Sequence, residues 1–358
     1  MTKNILVVSY VPNYNRQGYD ITACLQNAGY NVRLVQMDGM TDKEHGITGV
    51  KCIKPHGIFH KLHMLYNFGA FFLKTVFSRK DVVICVGKPM LTLCGLYQVV
   101  FRSKLIWYSL EFSKLGLLNR FVYRKCVTGY IDVEENRRGA IFARYGRKAN
   151  SIVCYNMPHL NTLQIKGGRL RAYLKDRYKF SGKEKLVVYA GSYQKYARVE
   201  TIVEASRAFP PTIKLVVMAY GLPEDMKAVS NNCYVVPPVR GEEFYEWLSD
   251  ASCALLPYED ESDFNVCNCS PQKLFDCFVV GVPFVASNRP IINKILAKIP
   301  SAGIVGDFTD AHDICIKVAS MTSHDDNLKL VMQAMHRTQY NYDKMHAKIA
   351  KLIEDVYA

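Results

Sequence analysis

The sequence predicts an α/β protein built from two Rossmann-like domains, and three observations predict it. Apolar strand-like runs alternate with helix-like segments through the first half of the chain, which is the signature of a parallel sheet. The same alternation restarts near residue 185, after a polar stretch. Charge also changes sign between the halves. Residues 1–180 hold 28 Lys and Arg against 10 Asp and Glu, a net +18, whereas residues 181–358 hold 18 against 22, a net −4. A chain of 358 residues suits two ordinary domains.

Each element follows from its local pattern. "NILVVSYV" is an uninterrupted apolar run, as expected of a strand buried on both faces. "GYDITACLQNAGY" places Ile21, Leu25 and Ala28 at helical spacing, with Gly29 as a stop. "NVRLVQM", "DVVICVG" and "SKLIWYSLE" read as further strands, and "GYIDVEE" and "SIVCYN" as two more around a helix. Residues 161–184 are polar, basic and glycine-containing, and are expected to mark the domain boundary. Beyond them come "KLVVYAGS", "IKLVVMAYG", "NCYVVPPV" and "CALLPY" as strands. "VETIVEASRAF" and "GEEFYEWLSDA" read as helices, and "AGIVGDF" and two terminal helical stretches close the chain.

Composition narrows the function classes. Hydrophobic residues make up 49%, enough for large cores. The longest uncharged apolar run, 90–101, is shorter than the roughly 18 residues a membrane span needs. No signal peptide is expected, because "TKN" runs straight into a strand pattern without a small-residue cleavage site. The twelve cysteines show no CxxC and no zinc-finger spacing, which points to free thiols in a cytoplasmic protein. No GxGxxG or P-loop follows either leading strand. The acidic run "EDESD" reads as a solvated loop, and His56, His60 and His63 lack a partner carboxylate cluster, so no metal site is expected.

One segment asks for a chemical explanation: "CSPQKLFDCFVVGVPFVAS", residues 269–287. Ser270 suits an N-cap and Pro271 the first helical position, with Gly281 as the stop. The amides of Gln272 and Lys273 would then open the helix as an anion site, reinforced by the Lys273 ammonium. Asp276, three residues on, would repel phosphate but can accept hydrogen bonds from a ribose diol. Phosphate followed by ribose describes a nucleotide. A capped helix with a surface ion pair satisfies the same pattern.

The wider stretch "ALLPYEDESDFNVCNCSPQKLFDCFVVGVPFVASNRP" resembles the donor-site segment of GT-B glycosyltransferases, in particular the retaining family 4 with its "PxKxxE…GxPVVAS" signature. "LVVYAGSYQKYARVETIVEA" is similar to the strand–loop–helix that opens the family's second domain, and "LVVMAYG" to its next strand. The resemblance is sharp over about 185–290 and looser elsewhere. It implies two Rossmann-like domains facing a cleft: residues 1–165 on the acceptor side, 166–340 binding the nucleotide-sugar, and 341–358 as a helix packing back on the first domain. The family's two acids map onto Asn268, near the donor sugar, and Asp276, on the ribose. Gly191 and Ser192 fall in the diphosphate loop. Ser192 stands where many relatives carry an arginine, so Lys195 and Arg198 are the nearest substitute cations. Glu111 falls where relatives place a histidine near the sugar, and Arg16 and Gly18 fall in the cleft-facing loop. Asn156, in "CYNMP", serves either a turn or the site.

The resemblance implies transfer of a sugar from a nucleotide-sugar to a glycan or lipid-linked acceptor with retention of configuration, in cell-surface polysaccharide biosynthesis and without a metal or other cofactor. The basic first half and the aromatic–basic segment 60–80 suit an anionic membrane surface, hence a peripheral location on its cytoplasmic face. A GT-B-fold sugar-nucleotide epimerase is the alternative enzyme, although no convincing acid–base set stands out. A basic nucleic-acid-binding protein is the non-enzyme alternative. It would not require Lys273 and Asp276 on one helix, and no RNP-like or helix-turn-helix pattern supports it.

Overall fold

The continuous apolar runs become central strands of two parallel sheets. The computed structural model describes residues 3–9, 16–36, 47–49, 66, 69–70, 80–158, 165–227, 232–322 and 326–357. Contacts group the chain into two units, residues 1–155 with 343–358, and residues 156–342.

Among the described residues of the first unit, seven strands are ordered β3-β2-β1-β4-β5-β6-β7. They are β1 (Asn4–Ser9), β2 (Asn31–Gln36), β3 (Ile47–Gly49), β4 (Val82–Val86), β5 (Lys104–Ser109), β6 (Val127–Asp132) and β7 (Asn150–Val153). Every pairing is parallel. Trp107 on β5 anchors the core, fully buried between Tyr123 and Tyr130 at ring separations of 5.8 and 5.3 Å. The terminal helix Tyr342–Tyr357 is tied into this unit from Asp343 onward. Lys3 pairs with Glu354, Tyr30 donates to Glu354 at 2.6 Å, and Gly129 lets Val356 approach β6.

In the second unit, six parallel strands are ordered β10-β9-β8-β11-β12-β13. They are β8 (Lys185–Ser192), β9 (Ile213–Tyr220), β10 (Cys233–Val236), β11 (Cys253–Leu256), β12 (Phe284–Ala286) and β13 (Gly303–Val305). Both sheets are doubly wound, so the strand order reverses once in each: between β1 and β4, and between β8 and β11. In open α/β sheets, ligands bind outside the carboxyl ends of the strands at that reversal.

Two sequence readings need correction. Residues 161–184 are not wholly a connector: Arg169–Arg177 is a helix that buries Leu170 and Leu174, and Arg171 donates to the carbonyls of Gly182 and Glu184. The i,i+4 leucine pair was outweighed by the surrounding charge. Among the described residues three helices rather than two follow β13, namely Ala311–Met321, Asp326–Thr338 and Tyr342–Tyr357. The segment 60–80 and the His56, His60 and His63 group lie almost wholly outside the described residues. Among the described residues no helix is long and apolar enough to cross a membrane, and no three His, Cys, Asp or Glu residues group as metal ligands.

Candidate nucleotide-binding site

The helix Gln272–Val280 is all apolar toward the core except for one acid. Leu274, Phe275, Cys277 and Phe278 pack inward, and Asp276 is buried with them at 3% exposure. A buried carboxylate needs hydrogen-bonding partners. Tyr245, on the neighbouring helix Gly241–Leu248, donates to Asp276 Oδ1 at 2.7 Å. Tyr245 was missed in the sequence because its position on the apolar face of "GEEFYEWL" reads as ordinary core.

The helix does not start as expected. Its N-cap is Pro271, in extended conformation and without a side-chain cap. The Ser270 hydroxyl instead accepts from the Asn156 amide at 3.3 Å, and Asn156 Nδ2 donates to the Ser270 carbonyl at 3.1 Å. Ser270 therefore anchors the start of the second unit rather than capping the helix. The Gln272 and Lys273 amides remain in the first turn, where helix geometry supplies no intrahelical acceptor. At the other end, Gly281 takes φ +73° and the amides of Gly281 and Val282 both donate to the Cys277 carbonyl. That double bond to one carbonyl is the expected glycine stop.

Lys273 points from this first turn to the carboxyl end of β8. Its ammonium lies 4.9 Å from the Tyr189 ring centre and 5.7 Å from that of Tyr258, within cation–π range. It also lies against Gly191, where a Cβ would come within 2.8 Å of Lys273 Cε and collide with the ammonium. Glycine at 191 thus makes room for the cation. Lys273 is half-buried, and desolvation of its ammonium holds the pKa down to about 8, with Asp276 opposing the drop. Gly191 is the penultimate residue of β8 and Tyr258 follows β11, so the cation sits at the reversal of strand order.

The loop after β11 is built as a rigid wall. Tyr258 stacks on Tyr196 at 5.8 Å and 11°, and its amide donates to Ser287 Oγ at 2.8 Å. Arg289, 4% exposed, donates to the Tyr258 carbonyl and to Glu261. Together with its ion pair to Glu259 at 3.6 Å, these bonds hold the loop in place, a positioning role that sequence reading did not assign. A cavity of about 620 Å³ lies beyond it, lined by Glu259, Arg289, Asp307, Asp313 and Lys317 among others, and these charges largely pair with one another.

The remaining candidates are dispersed. Ser192 offers its carbonyl to Tyr189 at 2.7 Å. Lys195 is exposed on a 3-10 turn, and Arg198 follows it in left-handed conformation, φ 46°, with its Nε buried and without a hydrogen-bond partner. A non-glycine residue held at positive φ is a recognised mark of functional loops. Asn268 ends the short helix Phe264–Cys267, and its Nδ2 donates to the Phe264 carbonyl at 3.1 Å. Glu111 is exposed just past β5 in the first unit, where Ser109 donates to its carbonyl. Gly18 lets the helix Arg16–Asn27 close on Ser9, since a Cβ would lie 3.2 Å from that side chain, while the Arg16 side chain lies outside the described residues.

No protein-family model matches the chain, and no curated protein matches it in sequence. Solved structures match it in fold. HepE of Anabaena, solved with UDP, is 12% identical with a TM-score of 0.71 over 99% of this chain and 100% of that one. Sucrose-phosphate synthase of Thermosynechococcus elongatus is also 12% identical, with a TM-score of 0.71 over 99% of both chains. A Listeria monocytogenes protein assigned as a UDP-N-acetylglucosamine 2-epimerase is 10% identical, with a TM-score of 0.63 over 98% of this chain and 95% of that one. The two doubly wound parallel sheets are the GT-B fold of the glycosyltransferases among these neighbours.

Proposed function

We propose that the chain is a glycosyltransferase that takes its sugar from a nucleotide-sugar, with the donor on the second unit. The observation that carries this reading is the Lys273 ammonium, held beside Gly191 at the strand-order reversal, one helical turn before the buried Asp276. The donor diphosphate lies at the Gln272 and Lys273 amides and on the Lys273 cation. Arg198 and Lys195 supply further positive charge from the loop after β8. Asp276 receives the ribose hydroxyls, oriented by Tyr245. As the sugar leaves, negative charge builds on the diphosphate. Fixed amides and an ammonium stabilise it without solvent reorganisation, so no metal or other cofactor is required.

The likeness of "PQKLFD…GVPFVAS" to the retaining family supports retention of configuration and a glycan or lipid-linked acceptor in cell-surface polysaccharide synthesis. HepE, with a TM-score of 0.68 in its UDP-glucose complex, supports a uridine donor. Glu111 and Asn268 are assigned to the reacting sugar by that likeness, with Arg16 and Gly18 on the acceptor side. The Listeria neighbour keeps an epimerase as the second reading; incubation with UDP-N-acetylglucosamine and no acceptor separates the two, since only an epimerase converts the sugar under those conditions.

The test is thermal stabilisation by a panel of UDP-, GDP- and ADP-sugars. A ligand at 100 times its Kd adds about 2.7 kcal/mol to the folded state. Failure of every nucleotide-sugar to stabilise the protein contradicts the reading. Asp276→Ala is expected to weaken nucleotide binding by on the order of 1.5–3 kcal/mol, the value of hydrogen bonds to a charged group. An affinity unchanged within about twofold, well under that range, would remove Asp276 from the ribose.

Binding should also depend on pH in a direction set by Lys273. Its free-protein pKa of about 8 rises when an anion binds, so the complex holds more proton than the free protein above that value. Affinity for UDP is therefore expected to fall by up to about tenfold per pH unit as pH rises through 8, where the phosphates, with a second pKa near 6, are already ionised. Calorimetric titrations from pH 7 upward read this slope, and a flat profile contradicts contact between Lys273 and the diphosphate.

A further inference from the structure

Among the described residues, two helices of the first unit carry an exposed apolar face. Leu91–Phe101 and Leu117–Lys125 pack closely, because Gly95 lets Val122 in and Thr92 Oγ1 donates to Asn119 Oδ1 at 2.6 Å. Their inner faces supply Leu91, Leu93, Tyr97, Val122 and Tyr123 to the core. Their outer faces hold Leu96, Val99 and Val100, 45–61% exposed, and Leu117, Leu118 and Phe121, 58–87% exposed. Positions 96, 99 and 100 share one side of a helix by i,i+3 and i,i+4 spacing, as 117 and 121 do. Scattered apolar side chains on a surface are ordinary, but six large ones on adjoining helices mark an interaction site.

The charges on these two helices have one sign. Neither helix contains an acid; Arg120, Arg124 and Lys125 are exposed on the second, and Arg102 and Lys114 flank the pair. A second copy of the chain would bring these cations against one another. A surface that is apolar beneath and anionic above satisfies both features. We propose that this face docks the protein on an anionic lipid surface, with Leu117, Leu118, Phe121 and Val100 among the headgroups and acyl boundary and Arg120, Arg124 and Lys125 on lipid phosphates. The apolar run at 90–101, too short to span a bilayer, thereby gains an interfacial role.

Co-sedimentation with phosphatidylcholine vesicles, with and without phosphatidylglycerol, tests the proposal on the full chain. Binding is expected only with phosphatidylglycerol and is expected to weaken in high salt. Arg120→Gln and Arg124→Gln should each lower partitioning about fivefold in low salt, and Leu117→Ser with Phe121→Ser should lower it further. All four side chains are exposed, and the one bond that is lost is a long one from Arg124 Nε to the Tyr145 carbonyl at 3.4 Å, so UDP affinity should not change and the Arg120→Gln melting temperature should match that of the parent protein. Sedimentation velocity without vesicles should show the same oligomeric state for every variant.

Four outcomes overturn the docking face: no vesicle binding, equal binding to neutral vesicles, undiminished binding by the variants, or an oligomer that the Leu117 and Phe121 changes dissolve. Loss of binding only on neutralising Lys74, Arg79 and Lys80 would place docking on segment 60–80 and overturn it likewise. UDP binding that survives any of these leaves the donor-site reading intact, so the two can fail separately.

Discussion

Lys273→Met is expected to lower affinity for UDP by about 10- to 100-fold while leaving the melting temperature unchanged or higher. The loss follows from removing charge-assisted hydrogen bonds to the diphosphate, worth about 1.5–3 kcal/mol, at 1.4 kcal/mol per factor of ten. The stability half has a separate origin. The Lys273 pKa falls from 10.5 in the unfolded chain to about 8 in the folded one, because its ammonium is desolvated. The unfolded chain then binds the extra proton between those values, so stability rises with pH across that window. Below about pH 8 the cost of the charged lysine is felt in full, and methionine of similar length removes it. The stability advantage of Lys273→Met should be largest near pH 7 and shrink toward pH 10. Calorimetric titration and thermal unfolding of the same preparations check both halves. A variant that binds UDP normally, or that unfolds early at pH 7, would show that Lys273 serves the fold and not the ligand.

Gly281→Ala should destabilise the second unit by about 2–5 kcal/mol. The residue ends the site helix at φ +73°, where an L side chain costs about 1–2 kcal/mol. A Cβ would also lie 2.6 Å from the Lys329 carbonyl and 3.0 Å from its Cα. Those are backbone atoms of the helix Asp326–Thr338, which cannot swing aside as a side-chain tip would, and overpacking adds about 1–3 kcal/mol. Gly29→Ala supplies the control. Its φ of +86° is strained, but nothing lies within 4 Å of the added Cβ, so only the conformational cost remains. Denaturant unfolding that ranks Gly281→Ala no worse than Gly29→Ala would contradict the close packing of the two helices.

Much of the fold was legible because central strands of a parallel sheet are buried on both faces. "NILVVS", "VVICV" and "KLVVYAGS" could hardly be anything but strands, and the Gly281 stop followed from one glycine between apolar runs. Elements whose evidence is thin were lost: the three-residue strand Ile47–Gly49, and the helix Arg169–Arg177, where two leucines had to be found among four basic residues. At the candidate site, Lys273 and Asp276 were legible because a charge on an otherwise apolar helix is unexplained by packing. Gly191 was reached by resemblance, and only its closeness to Lys273 gives it a physical reason. Tyr245 and Arg289 were not legible, since their work lies in contacts 31 residues away along the chain. Ser270 misled for a related reason: its local pattern suits an N-cap, but the hydroxyl is engaged by Asn156, 114 residues earlier.

A crystal structure of the protein soaked with UDP tests the donor assignment most directly. The diphosphate is expected at the Gln272 and Lys273 amides and the Lys273 ammonium, with the ribose hydroxyls on Asp276. UDP found instead in the cavity beside Glu259 and Arg289, or lying with its ribose at Lys273 and its phosphates toward Asp276, would contradict it.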